Sequence, residues 1–375
     1  MEPFKNLLNA ALIGAAATRL QATWPAFDRD AFTRLASQDL DGLEMKARAM
    51  QIASALEATL PANFGAACDV IEQALAPALE PGVAPAPGEP GLRGWIVWPL
   101  GEFVARRGLA EPVRALAALH ALTQRLTAEF AIRPFIVAHP ELVFATFERW
   151  KLDPSAHVRR LVSEGSRPRL PWGMRLHTLV ADPSPSLPLL AVLQDDASDY
   201  VRRSVANHLN DIAKDHRSVL TAWLSEHLPG ASAQRRAVLR HASRSLIKQG
   251  HQETLTLLGA GGAFEGSARL VLSSKKVRVG ESVTFCLALR SRAERMQQLL
   301  IDYAVHHLRA NGEASVKVFK GWTLPLAPRE VRELQKTHSM RVITTRRYHP
   351  GKHAIDVRIN GQIVARGAFM LNVVG

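Results

Sequence analysis

Asp153-Pro-Ser-Ala-His-Val-Arg-Arg-Leu-Val162 returns 43 residues later as Asp196-Ala-Ser-Asp-Tyr-Val-Arg-Arg-Ser-Val205. A period of that length fits a unit of two amphipathic helices, which buries its apolar face only by stacking on its neighbours. A weaker, earlier copy pairs Gln124-Arg125-Leu126, Glu129 and Arg133-Pro134 with Arg159-Arg160-Leu161, Glu164 and Arg167-Pro168. Leu239-Arg240-His241-Ala242-Ser243 is a later, decayed one. Stacked pairs curve, so equivalent helices line one wall.

N-terminal to the repeat, Leu43, Ala47, Met50, Ile52, Leu56 and Leu60 recur at helical spacing until Pro61. The stretch from Ala10 to Ala17 reads as an amphipathic helix, because Glu2 precedes it and the cationic lead of a signal peptide is missing. Residues 81–94 are a Pro/Gly loop, and helical patterning resumes from about Gly101 to about Leu258. After Gly259-Ala-Gly-Gly262, read as a linker, the pattern changes to short alternating runs. These are Arg269 to Leu272, Ser282 to Leu289, Gln298 to Val305, Ala314 to Phe319, Met340 to Thr344, Ala354 to Ile359 and Gln362 to Leu371. Val279-Gly280, Asn311-Gly312, Pro350-Gly351 and Asn360-Gly361 separate them as turns, and Asn-Gly between alternating runs signals a hairpin. The expected fold is therefore mainly α. A HEAT-like helical-repeat solenoid over 1–262 is followed by a small all-β immunoglobulin-like sandwich over 267–375.

Hydrophobic residues at 47% and charged residues at 22% are ordinary for a globular chain and exclude disorder. No apolar run approaches the roughly 20 residues of a membrane span. Lys and Arg number 47 against 34 Asp and Glu, a net charge of +13. Residues 267–375 hold 19 basic and 7 acidic residues and so carry almost all of that excess, while 149–250 hold 16 and 9. A basic centre and tail are the electrostatic footprint of a polyanion partner. Cys68 and Cys286 lie far apart in apolar contexts, which fits a reduced, cytoplasmic protein without a structural disulfide.

The densest segment is Ser163-Glu-Gly-Ser-Arg-Pro-Arg-Leu-Pro-Trp172. Glu164 holds the repeat position of Glu129; the later copy has Asn207 there, with Asp211 one turn on. With the repeats in register, Glu129, Glu164 and Asp211 project onto one wall. Arg159, Arg160, Arg167, Arg169, Arg202 and Arg203 surround them. A pure polyanion binder gains nothing from acid there, because carboxylate and phosphate repel. Acid in that place suits a positively charged target or a developing cation. Each residue alone has an ordinary reading: Glu paired with the next repeat's Arg, Val-Arg-Arg as a ladder between repeats, Trp172 as an interface plug. The combination carries the argument. Fourteen His without metal-binding spacing, and His306-His307 adjacent in a strand where neighbours face opposite sides, point to no metal and no cofactor.

Asp153 to Trp172 and Tyr200-Val-Arg-Arg-Ser-Val-Ala-Asn-His-Leu-Asn-Asp-Ile-Ala-Lys-Asp215 resemble the AlkC branch of the HEAT-like DNA alkylation-repair glycosylases. The form resembled carries an appended immunoglobulin-like domain. The likeness covers nearly the whole chain, although the tail matches only in strand pattern. It implies excision of cationic N3-methylated bases, 3-methyladenine and 3-methylcytosine, from double-stranded DNA without insertion into the base stack. The enzyme implied is monofunctional, leaves an abasic site, and acts as a monomer without cofactor, membrane or obligate protein partner. On these residues it implies Glu164 and Asp211 beside the sugar as it turns cationic, Glu129 in support, and Trp172 against the lesion nucleotide. Arg159, Arg160, Arg167, Arg169, Arg202, Arg203 and Lys214 would hold phosphates, with the basic tail reaching round the duplex. The residues by themselves leave a second reading open: a non-catalytic HEAT scaffold for nucleic acid or an acidic protein.

Overall fold

The computed structural model describes residues 3–86, 88–343 and 346–372. Among these, sixteen α-helices between residues 10 and 257 precede eight β-strands. The chain forms two compact units, one of residues 1–215 with 233–242, the other of residues 216–232 with 243–375. Helix gives way to strand where the sequence changes character, between Leu257 and Gly266. Packing nevertheless groups the helices Arg217–His227, Arg244–Gln249 and Gln252–Leu257 with the strands.

In the first unit, equivalent repeat positions do equivalent work. Asp153 Oδ1 accepts from Ser155 N and Asp196 Oδ1 from Ser198 N, each at 2.8 Å, so the same Asp-x-Ser turn starts two helices, Ala156–Gly165 and Asp199–Asp215. Arg159 reaches back to the carbonyls of Asp153 and Pro154, and Arg202 to those of Asp196 and Ala197. Val158, Leu161, Val162 and Gly165 form the buried stripe of the first helix, with the i, i+3, i+4, i+7 spacing of an amphipathic face. A Cβ on Gly165 would stand 2.6 Å from Ile132 Cγ2, so only glycine permits this close approach. The second helix buries Val201, Val205, Leu209 and Ile212, and beside them a polar stripe of Ser204, His208 and Asp211. Residues 81–86 and 88–94 are mostly irregular, as read, pinned by a bridge between Leu75 and Leu92.

In the second unit the strands are β1 (Gly266–Leu272), β2 (Lys276–Arg278), β3 (Ser282–Ser291), β4 (Gln297–Leu308), β5 (Ala314–Leu326), β6 (Val331–Ser339), β7 (Gly351–Ile359) and β8 (Gln362–Asn372). They make two sheets, β1-β3-β6 and β2-β8-β7-β4-β5. The core between them includes Phe285, Leu287, Tyr303, Val305, Ile355, Val357 and Phe369. Asn360 and Gly361, at φ of 50° and 82°, turn β7 into β8 as expected. Six of the seven expected runs are strands. The seventh needs correction. Met340 to Val342 is coil, Ile343 makes only an isolated bridge with Arg346, and Thr344 lies outside the described residues. The missed strand is β6 just before it. It is an edge strand whose Arg332, Glu333 and Lys336 blur the alternation. Short β2 was missed as well.

The sandwich interior holds three buried imidazoles. His307 sits 6.3 Å from His338 and 5.8 Å from His353 between ring centroids, and Tyr303 Oη lies 3.2 Å from His338 Nδ1. Burial, reinforced by Arg346, pushes His307 down to about 3 and His338 down to about 4; burial lowers His353 too. A base whose folded pKa is depressed stays neutral in the native state while the unfolded chain takes up protons. Stability should therefore be level above about pH 6.5 and fall as pH drops from there towards 4, by up to about 1.4 kcal/mol per pH unit for each imidazole. Thermal melting across this range checks it. His338→Gln should make the acid slope shallower, and an unchanged slope would contradict the assignment.

Candidate active site

Glu129, Glu164 and Asp211 converge through arginines. Arg160 Nη1 donates to Glu129 Oε2 (2.6 Å) and to the Thr127 hydroxyl (2.7 Å), while its Nη2 lies 3.5 Å from Glu164 Oε1. Arg167 Nη1 donates to Glu164 Oε1 (2.6 Å), and its Nε and Nη2 both reach Asp211 Oδ2 at 2.8 Å. Lys214 closes the chain on Asp211 Oδ1 (2.6 Å). Acid and base thus alternate from Glu129 to Lys214, and only Lys214, its side chain 43% accessible, stands substantially in water. The Ser204 hydroxyl donates to Glu164 Oε2 (2.6 Å), and the Tyr200 ring lies 4.8 Å from the Arg160 guanidinium carbon.

Each of the three acids carries an ion pair. The reason is desolvation. Asp211 is 1% and Glu164 5% exposed, and a buried carboxylate without a partner costs several kcal/mol. Burial alone would raise the Glu164 pKa, but Arg160, Arg167 and the Ser204 hydroxyl together hold it below the ordinary carboxylate value, so it is an anion at neutral pH. His208, also buried, is driven down to about 4 by burial and by Arg167, and its neutral ring donates Nδ1–H to the Ser163 carbonyl (2.9 Å). It adds no charge. Among the described residues, no group of three or more His, Cys, Asp or Glu could hold a metal.

Most of the expected phosphate ligands are engaged internally. Arg159 clamps Asp196 through two bonds (2.6 and 3.0 Å), just as His120 meets Asp153 (2.8 Å) one repeat earlier. Arg159 and Arg202, which the sequence grouped with the others, are ladder residues here. Arg160 and Arg167 are the ones that hold the carboxylates. Arg169 forks onto Asp215 (2.6 and 2.7 Å). Arg203, 69% accessible and tied among the described residues only to Asp199 at 3.0 Å, faces solvent with Lys214.

The loop following Gly165 carries Arg167 and Trp172, and Arg133 staples it. Its Nη1 donates to the Gly165 carbonyl (2.7 Å) and its Nε to that of Met174 (2.6 Å). Trp172 is 65% exposed at φ +64°, a strained region for a bulky side chain that costs on the order of 1–3 kcal/mol. Its ring meets Phe4 at 6.0 Å. Sequence reasoning named the three acids but missed Ser204, Tyr200, Thr127 and Arg133. The available signal was the Ser204–His208–Asp211 spacing, one polar helical face beside the apolar one.

A stacked helical array that buries a chain of carboxylates and guanidinium groups, followed by an immunoglobulin-like sandwich, defines the class of protein. The family model described as "Uncharacterised protein YhaZ, C-terminal Ig-like domain" matches residues 266–373. Over 369 residues the chain is 34% identical to "Uncharacterized protein YhaZ" of Bacillus subtilis (strain 168), covering 97% of this chain and 98% of that protein. The solved structure of Pseudomonas fluorescens alkylpurine DNA glycosylase AlkC, bound to DNA containing an abasic site analog, aligns at 33% identity with a TM-score of 0.90, over 99% of this chain and all of that one. The chain belongs to the AlkC family of HEAT-like DNA alkylation-repair glycosylases.

Proposed function

We propose that the chain is a monofunctional DNA glycosylase that removes cationic N3-methylated bases, 3-methyladenine and 3-methylcytosine, from duplex DNA and leaves an abasic site. The convergence of Glu129, Glu164 and Asp211 carries this reading. The likeness to AlkC supports it. Methylation at N3 makes the base a good leaving group, so the C1′–N bond breaks with positive charge building on the sugar. That charge needs fixed anions, and a strong general acid is unnecessary. Arg160 and Arg167 orient the carboxylates beforehand through hydrogen bonds, which is the form of electrostatic help that costs little reorganisation at the moment of reaction.

Glu129 Oε1 accepts none of these bonds, and among the described residues Asp211 Oδ1 is held only by the accessible Lys214. A DNA phosphate that attracts Lys214 would free that oxygen to face the sugar or orient the attacking water. Arg203 and Lys214 are then the phosphate ligands of this face, with Arg169 and Arg202 beside them. Trp172 lies against the lesion nucleotide. The protein acts as a cytoplasmic monomer on nucleoid DNA; among the described residues no helix is long and apolar enough to cross a membrane.

The test is to incubate the protein with methylated duplex DNA and identify what is released. Free 3-methyladenine and 3-methylcytosine, with abasic sites and no strand nicks until alkali is added, are the expected products. Salt-sensitive binding with no base release would overturn the enzyme in favour of a scaffold.

A further inference from the structure

Building on the glycosylase reading, we infer that Arg133 is a positioning residue for base release: it fixes the loop from Gly165 to Met174 and so sets Arg167 against Glu164 and Asp211. In the repeat, Arg133-Pro134 occupies the place of Arg167-Pro168. The two arginines have taken different work. Arg167 grips carboxylates, whereas Arg133 donates to two backbone carbonyls, through Nε to Met174 (2.6 Å) and through Nη1 to Gly165 (2.7 Å). Those carbonyls close the two ends of the loop that bears Arg167. At the Gly165 end the missing Cβ lets the chain press against Ile132, next to Arg133.

Stability does not account for this arrangement. Arg133 is fully buried, yet among the described residues no acid pairs with it and its Nη2 finds no partner. Burial and the nearby Arg167 push its pKa down to about 10, which still leaves a cation at neutral pH. A buried cation without a carboxylate, and with one donor unmade, burdens a fold that an apolar side chain would serve better. What Arg133 supplies is geometry. A guanidinium holds its donors in a rigid fork, so both loop ends keep one register to it, while an ammonium is a single point. Its two bonds are shorter than the loop's own backbone bonds, from Gly173 to the Leu170 carbonyl and from Leu176 to that of Pro168, at 3.2 Å each. Arg167 reaches both Glu164 and Asp211. A loop displaced by about 1 Å therefore misplaces charge at the reacting centre, an error that costs on the order of a hundredfold in rate.

The full chain is compared with Arg133→Lys, which keeps the cation, and with Arg133→Ala. Single-turnover release from methylated duplex and affinity for a lesion-free duplex are measured beside urea unfolding. Arg133→Lys should slow release about tenfold to a hundredfold, with affinity within about twofold and an unfolding midpoint close to the parent's. Arg133→Ala should be slower still, and added methylguanidinium should restore much of its rate without quickening the parent. Release by Arg133→Lys within about threefold of the parent overturns the inference. So does a rate that falls in step with the folded fraction, or failure of both variants to fold, since Arg133 would then be a residue of the fold. If the parent itself releases no base, the glycosylase reading falls, and the brace is judged separately by the emission anisotropy of Trp172, taken as the difference from Trp172→Phe chains. That anisotropy should drop in Arg133→Lys; an unchanged value means that Arg133 does not fix the loop.

Discussion

Glu164→Gln and Asp211→Asn should each lower the single-turnover rate of base release by about a hundredfold to a thousandfold, with DNA affinity unchanged or slightly raised. The magnitude is that of removing one preorganised group from a site where charge develops. Both changes keep the shape and an acceptor oxygen, so Arg167 still finds a partner; what disappears is the negative charge that the sugar cation requires. Losing an anion in a basic region favours phosphate binding, and the affinity therefore should not fall. Glu129→Gln should cost less, because Glu129 bonds to Thr127 and Arg160 at the far end of the network from Asp211. Gel-based release assays beside binding titrations check all three. Rates within tenfold of the parent for both Glu164 and Asp211 variants would remove the electrostatic role.

Arg167→Ala should have the largest effect on stability. Among the described residues Arg167 is the only group that pairs with both Glu164 and Asp211, and its side chain is 8% exposed. Deleting it strands two buried carboxylates at once, where breaking one buried pair costs about 3–5 kcal/mol. Arg160, 3.5 Å from Glu164, and Lys214 on Asp211 recover part of that loss. A loss of about 3–5 kcal/mol in urea unfolding is expected, with base release lost as well. The pH dependence carries its own sign. The lowered pKa of Glu164 contributes stability that is present above the unfolded value near 4.5 and is lost as pH falls through the folded one. In Arg167→Ala that contribution is missing, so parent and variant should draw together as pH drops below about 4.5. A gap that widens in acid would contradict the role of Arg167. Arg159→Ala, by contrast, should lower stability and spare the release rate per folded molecule, since Arg159 serves Asp196 and two turn carbonyls.

These two arginines, one residue apart in sequence, mark the limit of reading the chain unaided. Adjacent residues on a helix point about 100° apart, so Arg159 and Arg160 meet different neighbours. The repeat showed that both matter and could not say which is the ladder and which the clamp. The three acids were legible because their spacing follows the repeat. Two of their ion pairs were not, because Arg160 with Glu129 and Arg167 with Asp211, 31 and 44 residues apart, meet only when repeats stack. Trp172 was visible as an aromatic beside the acids; its exposure and its contact with Phe4 follow from a loop conformation that no local pattern encodes. Strand β6 was hidden for a different reason, since one face of this edge strand is exposed, the other is only partly covered, and the charged residues Arg332, Glu333 and Lys336 on both faces read as loop.

By itself the sequence determined a stacked helical array, through its 43-residue period, and an antiparallel sandwich, through alternating runs closed by Asn-Gly turns. Both signals are local, because helix and hairpin formation depend on residues within a few positions of one another. Tertiary structure alone decided the charge state and fixity of the site. Burial makes an unpaired carboxylate untenable; Glu164 finds Arg160 and Arg167 within four residues of itself, but only three-dimensional packing brings Arg160 to Glu129 and Arg167 to Asp211.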